Sequence, residues 1–388
     1  MTSSDVVVVG GGIAGVSAGY HLAERDLHVV LLEAEPTLAH HTTGRSAAIY
    51  LENYGNDVVR RLTIAGRDFL TDPPPGLVDA PLVTPLPVLR VGTTDQAEAL
   101  YETAHSAQGL VPTTRLLDSA EAIEMFPVLR PERIGAAVLE PDAMEMDVAG
   151  LHQAFVRGLR ARGGEIRTSS PVMGLGPRSG GWRVELPDTT LDTPIVVNAA
   201  GAWCDRIAAM AGVRGVGLVP LRRTVCVASL PDGVEAAGWP FVVFEAPGGA
   251  MGAYCKPEAG GLLVSPADET PSEPCDAKPE EIDVARGLDQ LAGWTTLDLR
   301  HVISAWAGLR SFVADRTMVA GFAPGAPGFF WLAGQGGYGI HTSVGLARFV
   351  AGLIIDGEVP SELSELGLRA EDLAPDRPGL EGEMVPGH

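Results

Sequence analysis

Lysine is almost missing from this chain of 388 residues, with Lys256 and Lys278 the only two. Acidic residues outnumber basic ones, leaving a formal charge of −21. That balance provides no broad basic face, which excludes nucleic acid and anionic membrane surfaces as partners. Cysteine is scarce too. Cys204, Cys226, Cys255 and Cys275 stand singly, without the paired spacing of a metal site. No metal is therefore expected, and the thiols read as reduced groups of a cytoplasmic protein. Long apolar runs are missing as well. Phe349 to Ile355 falls far short of the ~20 residues that span a membrane. The apolar start at Val6 to Val9 stops at Gly10, Gly11 and Gly12, with no basic region before it, so it reads as a buried strand and not a signal peptide.

What is present is ordinary globular composition, 46% hydrophobic and 20% charged, long enough for two domains. The texture alternates along the chain. Val6 to Val9 is a β-branched run suited to a strand buried on both faces. A glycine loop, a helix over Ile13 to Arg25 and a second strand over His28 to Leu32 follow. A helix is expected over Val58 to Leu70, ending at the Pro73–Gly76 breaker. From Leu82 short strands take over, at Leu86 to Val91, Ile134 to Leu139 and Phe241 to Phe244, and they suggest an antiparallel sheet. Strand Phe329 to Ala333, the turn Gly334 to Gly339 and a helix over Ile340 to Ile355 return to α/β character. The expected fold is α/β: a Rossmann-like domain built from residues 1–81, 147–219 and 318–370 interleaves with an α+β substrate domain. That second domain has an antiparallel sheet built from 82–146 and 220–317, and 371–388 forms a surface tail.

Gly10-Gly11-Gly12-Ile13-Ala14-Gly15 fits the dinucleotide fingerprint in its required setting, with a strand before, a helix after and an acid ending the next strand. Gly10 permits the tight turn, Gly12 lets a pyrophosphate approach the backbone, and Gly15 lets helix and strand pack closely. The phosphates would sit at a helix N-terminus, where free N–H groups and the helix dipole favour anions. Glu33 is placed to accept the ribose hydroxyls, which excludes a 2′-phosphate and so NADP. FAD is favoured over NAD because Thr42-Thr43-Gly44-Arg45-Ser46 follows closely and a second glycine turn lies near the C-terminus. A flavin uses such a distant helix start to hold negative charge on its ring. Ala200, Gly201 and Trp203 form a strand-to-turn element suited to run beneath a ribityl chain, and Val172 lies in a loop able to read adenine.

Taken in order, Gly10–Gly15, His41–Ala48, Ala199–Asp205, Trp306–Asp315 and Gln335–Ile340 resemble the glycine oxidase and D-amino-acid oxidase superfamily of FAD-dependent amine oxidoreductases, and within it the bacterial D-arginine dehydrogenases. The resemblance covers nearly the whole chain. It implies non-covalent FAD, a β-sheet substrate domain over the flavin, and hydride transfer from the Cα–N bond of an amino acid to flavin N5, giving an imino acid. It also brings Ala34, Ala47, Gly308, Gly336, Gly337, Tyr338, Gly339 and Ile340 to the cofactor. Arg223 and Arg310 resemble a pair that clamps the substrate carboxylate, Tyr254 a hydroxyl donor to it, and Tyr54 a lid tyrosine. Gly337 resembles the carbonyl that receives the amine. A planar guanidinium makes two parallel bonds to a carboxylate, which fixes Cα. Arg222 and Arg223 are adjacent on a strand and point oppositely, so only one can face the flavin.

Two positions depart from the arginine enzymes. Val88 stands where they have a side-chain-binding glutamate, and Ile49 where they have a histidine. Both changes add apolar surface, which points to a neutral or apolar D-amino acid or an N-substituted relative. Fast oxidases of the superfamily set a lysine over the flavin, at a place that falls near Leu263 here. This favours a dehydrogenase, with a quinone or another carrier ahead of O2 as electron acceptor. His40, His41 and His341 read as cofactor-loop and surface residues. Three alternatives stay open: a 2-hydroxy-acid dehydrogenase using the same clamp, a biosynthetic tailoring amine oxidase, and a flavin-binding protein without turnover.

Overall fold

The computed structural model describes residues 4–246 and 251–384; the outermost ends of the first expected segment and of the tail lie outside this range. A six-stranded sheet runs in the order Val319–Phe322, Phe329–Ala333, Ile195–Asn198, Val6–Val9, Val29–Leu32, Glu165–Arg167. Its strands come from distant parts of the chain. All neighbours are parallel except the pair at the Val319–Phe322 edge. Val6–Val9 lies centrally and is fully buried, as its uniform valines require, because a strand covered on both faces has no polar side to offer. Helices Ile13–Glu24, Val148–Ala161 and Ser343–Ile355 pack together over one face. Close approach depends on glycine: a Cβ on Gly15 would sit 1.9 Å from the Gly10 carbonyl oxygen.

The second large sheet orders Thr270–Pro271, Val219–Ala228, Gly261–Ser265, Met251–Glu258, Phe241–Glu245, Val88–Gly92, Ala136–Glu140 and Arg115–Leu117. The long strand Val302–Phe312 pairs antiparallel with Val219–Ala228. One pair breaks the expected antiparallel pattern, since Phe241–Glu245 and Val88–Gly92 run parallel. Pairing direction depends on how the distant segments 82–146 and 220–317 meet, and no local periodicity carries it.

The helices depart from expectation in three places. Val58 to Leu70 divides into Asp57–Ile64 and Arg67–Thr71 at Gly66, where helix Ser343–Ile355 crosses: a Cβ on Gly345 would stand 2.2 Å from the Leu62 oxygen. Helices Ala97–Gln108 and Ser119–Met125 fill a stretch that reads as strands and turns in sequence. They cover the outer sheet through Leu100, Ala104 and Ala122. The surface tail is anchored by Arg377, which donates to Asp315 at 2.8 and 2.9 Å, and by buried Leu373. Among the described residues no helix is long and apolar enough to cross a membrane.

Candidate active site

Between the two large sheets lies a cavity of about 520 Å3, walled by the glycine loop, the Thr42–Ala47 segment, the Ala199–Trp203 turn, strands 219–228 and 302–312, and the 335–340 turn. Gly10 turns through φ +114° there, and a Cβ on it would meet the Ala199 oxygen at 2.3 Å. That conformation and spacing exclude any L side chain. Helix Ile13–Glu24 starts at the cavity with Gly12 as N-cap, no side-chain cap and no acid in its first turn, so its positive end is open to an anion. The Ile13 N–H donates to Thr43 Oγ1 at 3.0 Å. The Glu33 carboxylate is held at the wall by the Gly11 and Glu35 N–H groups, both 2.8 Å. Glycine cradle, open helix end and anchored carboxylate together fit the pyrophosphate and ribose of FAD.

Nearly every expected cofactor residue lines this cavity: Gly10, Gly12, Ile13, Ala14, Glu33, Ala34, Thr42, Thr43, Arg45, Ser46, Ala47, Val172, Ala200, Gly201, Trp203, Gly308, Gly336, Gly337, Gly339 and Ile340. Two do not. Gly15 lies behind Gly10 in the helix–strand contact. Tyr338 turns away into the core, 2% exposed, with its ring against Tyr54 and Phe312 at 5.0 and 5.9 Å. Several wall residues were missed. Glu35 adjoins a segment already singled out, so proximity in sequence was the available signal, while Gly11 lies inside the glycine fingerprint and His41 in the cofactor loop. Ser311 and Gln335 lay inside the resembling segments Trp306–Asp315 and Gln335–Ile340 without being given a role, and Arg206 carried no signal.

Arg45 spans the boundary between the two layers. It donates to the Ala277 and Ala307 oxygens at 2.8 and 3.0 Å and pairs with Asp276, while its own carbonyl accepts from Trp306 Nε1 at 3.0 Å. Thr42 adds a bond to the Leu309 oxygen at 2.8 Å.

At the other end of the cavity stand Arg223, Tyr254, Arg310 and Gly337. Leu221 pairs with Arg310 and Arg223 with Gly308 across the antiparallel ladder, so both arginines project from one face. Arg222 projects from the other and is taken up by Glu280 and Asp283. Arg223 is 6% exposed; it donates to the Asp268 oxygen at 2.8 Å and to Glu269 at 3.3 Å. Its Nη1 is buried with no hydrogen-bond partner among the described residues. Burial, and then the charge of Arg310, holds this guanidinium below its usual pKa. Arg310 is partly open and donates to the Tyr54 hydroxyl at 3.2 Å. For Tyr254, burial raises the phenol, but Arg310 and Arg223 outweigh it and leave it below its usual value. Gly337 crosses close beneath: a Cβ there would be 2.9 Å from Arg310 Nη1 and 3.1 Å from the Tyr54 hydroxyl.

Ile49 and Val88 do not reach the cavity wall. They belong to the apolar cluster behind Tyr254, with Leu51, Val225 and Leu263. Directly across the ladder from Val88 stands Glu140, a buried carboxyl that the sequence gave no reason to connect with it. Burial pushes it up to about 7, against the opposing pull of Arg90 and a bond from Asn53. Lys256 pairs across strands with Leu263, but its ammonium is held by Glu145 and by Glu258 at 2.9 Å, off the cavity wall. His341 is not a surface residue. It is 3% exposed, bonds the Ile49 oxygen at 3.2 Å, and burial pushes it down to about 4.

Among the described residues one group of possible metal ligands comes together, Glu35 with His40 and His41, within 4.8 Å. It belongs to the cofactor cavity: His41 pairs with Glu35 at 3.0 Å and lies against Trp203 at 4.6 Å. No cysteine lines the cavity.

The family model for FAD dependent oxidoreductases (DAO) matches residues 5–353. Mouse mitochondrial dimethylglycine dehydrogenase (Mus musculus) is 26% identical over 94% of this chain and 44% of its own. The chain therefore spans less than half the length of that relative. Glycine oxidase of Geobacillus kaustophilus is 24% identical over 94% of this chain and 96% of its own. Among solved structures, L-proline dehydrogenase from P. horikoshii superposes with a TM-score of 0.80 at 20% identity, over 96% of this chain and 97% of that one.

Proposed function

The chain belongs to the DAO family of FAD-dependent oxidoreductases, and from that premise we propose that it oxidises the Cα–N bond of a carboxylate-bearing amine, a neutral or apolar D-amino acid or an N-substituted relative, to the imino acid. The observation that carries this reading is the buried, unpartnered Nη1 of Arg223 beside Arg310. Arg223 is paired with Glu269 on one side, but a buried donor left unsatisfied on the other costs about 1–3 kcal/mol, so the site is arranged for an incoming acceptor. Glu269 is shared between Arg223 and Arg316, which leaves Arg310 and the free edge of Arg223 to a carboxylate.

In this reading Arg310 and Arg223 take the two carboxylate oxygens, and Tyr254, its hydroxyl poised by both guanidiniums, donates a third bond. That grip fixes Cα, and such positioning removes several kcal/mol of barrier in favourable cases. The Gly337 carbonyl receives the amine and orients the nitrogen lone pair. Bound FAD supplies the acceptor for the hydride that leaves Cα. No side-chain base is required when the amine binds neutral, and His341, pushed down to about 4, stays out of proton transfer at neutral pH.

The substrate side chain meets the cavity wall at Tyr254 and Val225, and the apolar cluster behind them, with Ile49, Leu51 and Val88, offers it no countercharge. Glu140 does not alter that preference, because its carboxyl faces Arg90 and Asn53. An N-substituted substrate is in keeping with a relative named for dimethylglycine. With Lys256 committed to two carboxylates, the preferred acceptor is a quinone or other carrier over O2.

Anaerobic mixing of the holoenzyme with D- and L-amino acids, N-methyl amino acids and 2-hydroxy acids tests this. Rapid bleaching of the visible flavin band by apolar D-amino acids or N-methyl relatives is expected, with D-arginine slow. Bleaching by hydroxy acids alone would overturn the amine assignment, and equal rates with D-arginine would overturn the apolar pocket.

A further inference from the structure

A second cavity, of about 630 Å3, lies behind Tyr54 and has no part in the chemistry proposed above. Tyr54 lines this second cavity, and its hydroxyl accepts from Arg310, which lines the first. The charged groups lining the second cavity are Arg60, Arg90, Asp57 and Glu102. They are not equally committed. Arg90 is engaged by Glu245 at 2.8 Å. Arg60 pairs with Asp57, 3.5 Å away on the exposed start of the same helix, with the carboxylate side chain 68% exposed, and its charge also acts on buried Glu140. The Arg60 side chain is 13% exposed, and its Nε is buried with no hydrogen-bond partner among the described residues. The cavity therefore presents a guanidinium with an unused buried Nε donor next to the tyrosine that touches the carboxylate clamp.

In a protein with a formal charge of −21, the carboxylate end of an incoming substrate is favoured by a local positive charge on its way to Arg310. We propose that the cavity behind Tyr54 is the entry route for carboxylate substrates, and that Arg60 is a positioning residue that takes the carboxylate before it is handed to Arg310. This rests on the carboxylate-clamp reading of Arg223 and Arg310. Ser106, exposed on helix Ala97–Gln108, lies on the opposite wall and gives a way to plug the route without touching a charge.

The test is stopped-flow association of benzoate with the holoenzyme, followed by the flavin spectrum, together with steady-state kinetics at low and high ionic strength. For Arg60→Gln, association and kcat/KM should fall roughly ten-fold at low salt, with the deficit shrinking as salt screens the charge. Benzoate dissociation and kcat should not change, and Arg60→Lys should recover most of the loss. Ser106→Trp should slow association equally at every salt concentration. If Arg60→Gln folds poorly, Ser106→Trp and the salt dependence of Arg60→Lys carry the same test. Wild-type association rates in both Arg60→Gln and Ser106→Trp would overturn the route, and a fall in kcat without salt dependence would overturn the steering role of Arg60. If Arg310→Ala still binds benzoate like the wild type, the clamp reading fails instead, and that result is separate from either outcome at Arg60.

Discussion

Arg223 and Arg310 are diagonal neighbours on one face of a single antiparallel ladder, two register positions apart, since Arg223 stands opposite Gly308 and Arg310 opposite Leu221. Sheet geometry places such diagonal residues some 7–8 Å apart at the backbone, a span that a carboxylate between two long side chains can bridge. Gly308, directly opposite Arg223 and two residues before Arg310, adds no side chain to that face.

Replacing Arg310 by Ala should remove about 3 kcal/mol of charge-assisted hydrogen bonding, roughly a hundred-fold in kcat/KM. FAD content should hold, because Arg310 lies at the far end of the cavity from the glycine loop. Arg310→Lys should recover only part of the loss, since a point charge lacks the two-pronged geometry. Steady-state kinetics and the flavin-to-protein absorbance ratio check both.

Gly10→Ala should abolish FAD retention. The new methyl would meet the Ala199 oxygen at 2.3 Å in a backbone conformation that L residues rarely adopt. Purification without yellow colour, with the far-ultraviolet circular dichroism kept, is the expected result; a variant that binds FAD normally would remove the glycine loop from the cofactor site.

Glu140 makes stability depend on pH. Its folded-state pKa, about 7, lies above that of the unfolded chain, so the folded state holds the proton more tightly. The contribution is fully present below about pH 4.5 and is lost as pH rises through about 7. At a little over 1 kcal/mol per pKa unit, the change amounts to about 3 kcal/mol. Thermal melts of Glu140→Gln should be flatter across this window, and at pH 8 the variant should be the more stable protein.

Val88→Glu sets a second carboxylate directly opposite Glu140. The single variant should lose several kcal/mol at neutral pH, mostly because a carboxyl replaces a fully buried valine, and adding Glu140→Gln should restore only the like-charge part, about 1 kcal/mol. If the apolar cluster selects the substrate, Val88→Glu should also narrow the gap between D-arginine and apolar substrates, as read by anaerobic flavin bleaching.

What was legible in the sequence was local or stereochemically enforced. The glycine loop at Gly10–Gly15 could be read because each glycine answers a steric demand, and strand Phe329–Ala333 because a run of five apolar residues beside a glycine turn has few other uses. The opposite orientations of Arg222 and Arg223 followed from strand alternation alone. What escaped was set by register between distant segments. Glu140 opposite Val88, and Phe241–Glu245 running parallel to Val88–Gly92, depend on how separate parts of the chain meet. Tyr338 escaped for a different reason: its motif fixed the backbone but not the side of the turn on which the ring would pack. Nothing in the sequence marks Arg60, and only the cavity beside it makes it notable.

The bonds of Arg45 have a thermodynamic corollary. Its side chain and carbonyl tie the Thr42–Arg45 turn to residues 276, 277, 306 and 307, and the same residue walls the large cavity. A ligand filling that cavity therefore touches both sides of the junction and holds them in register. Its binding is linked to cohesion between the layers, by about 2.7 kcal/mol at a hundred times its dissociation constant. Starved of flavin, the protein would first part along the line that Arg45 bridges, and its resistance to heat and proteases would track the flavin supply of the cell that makes it.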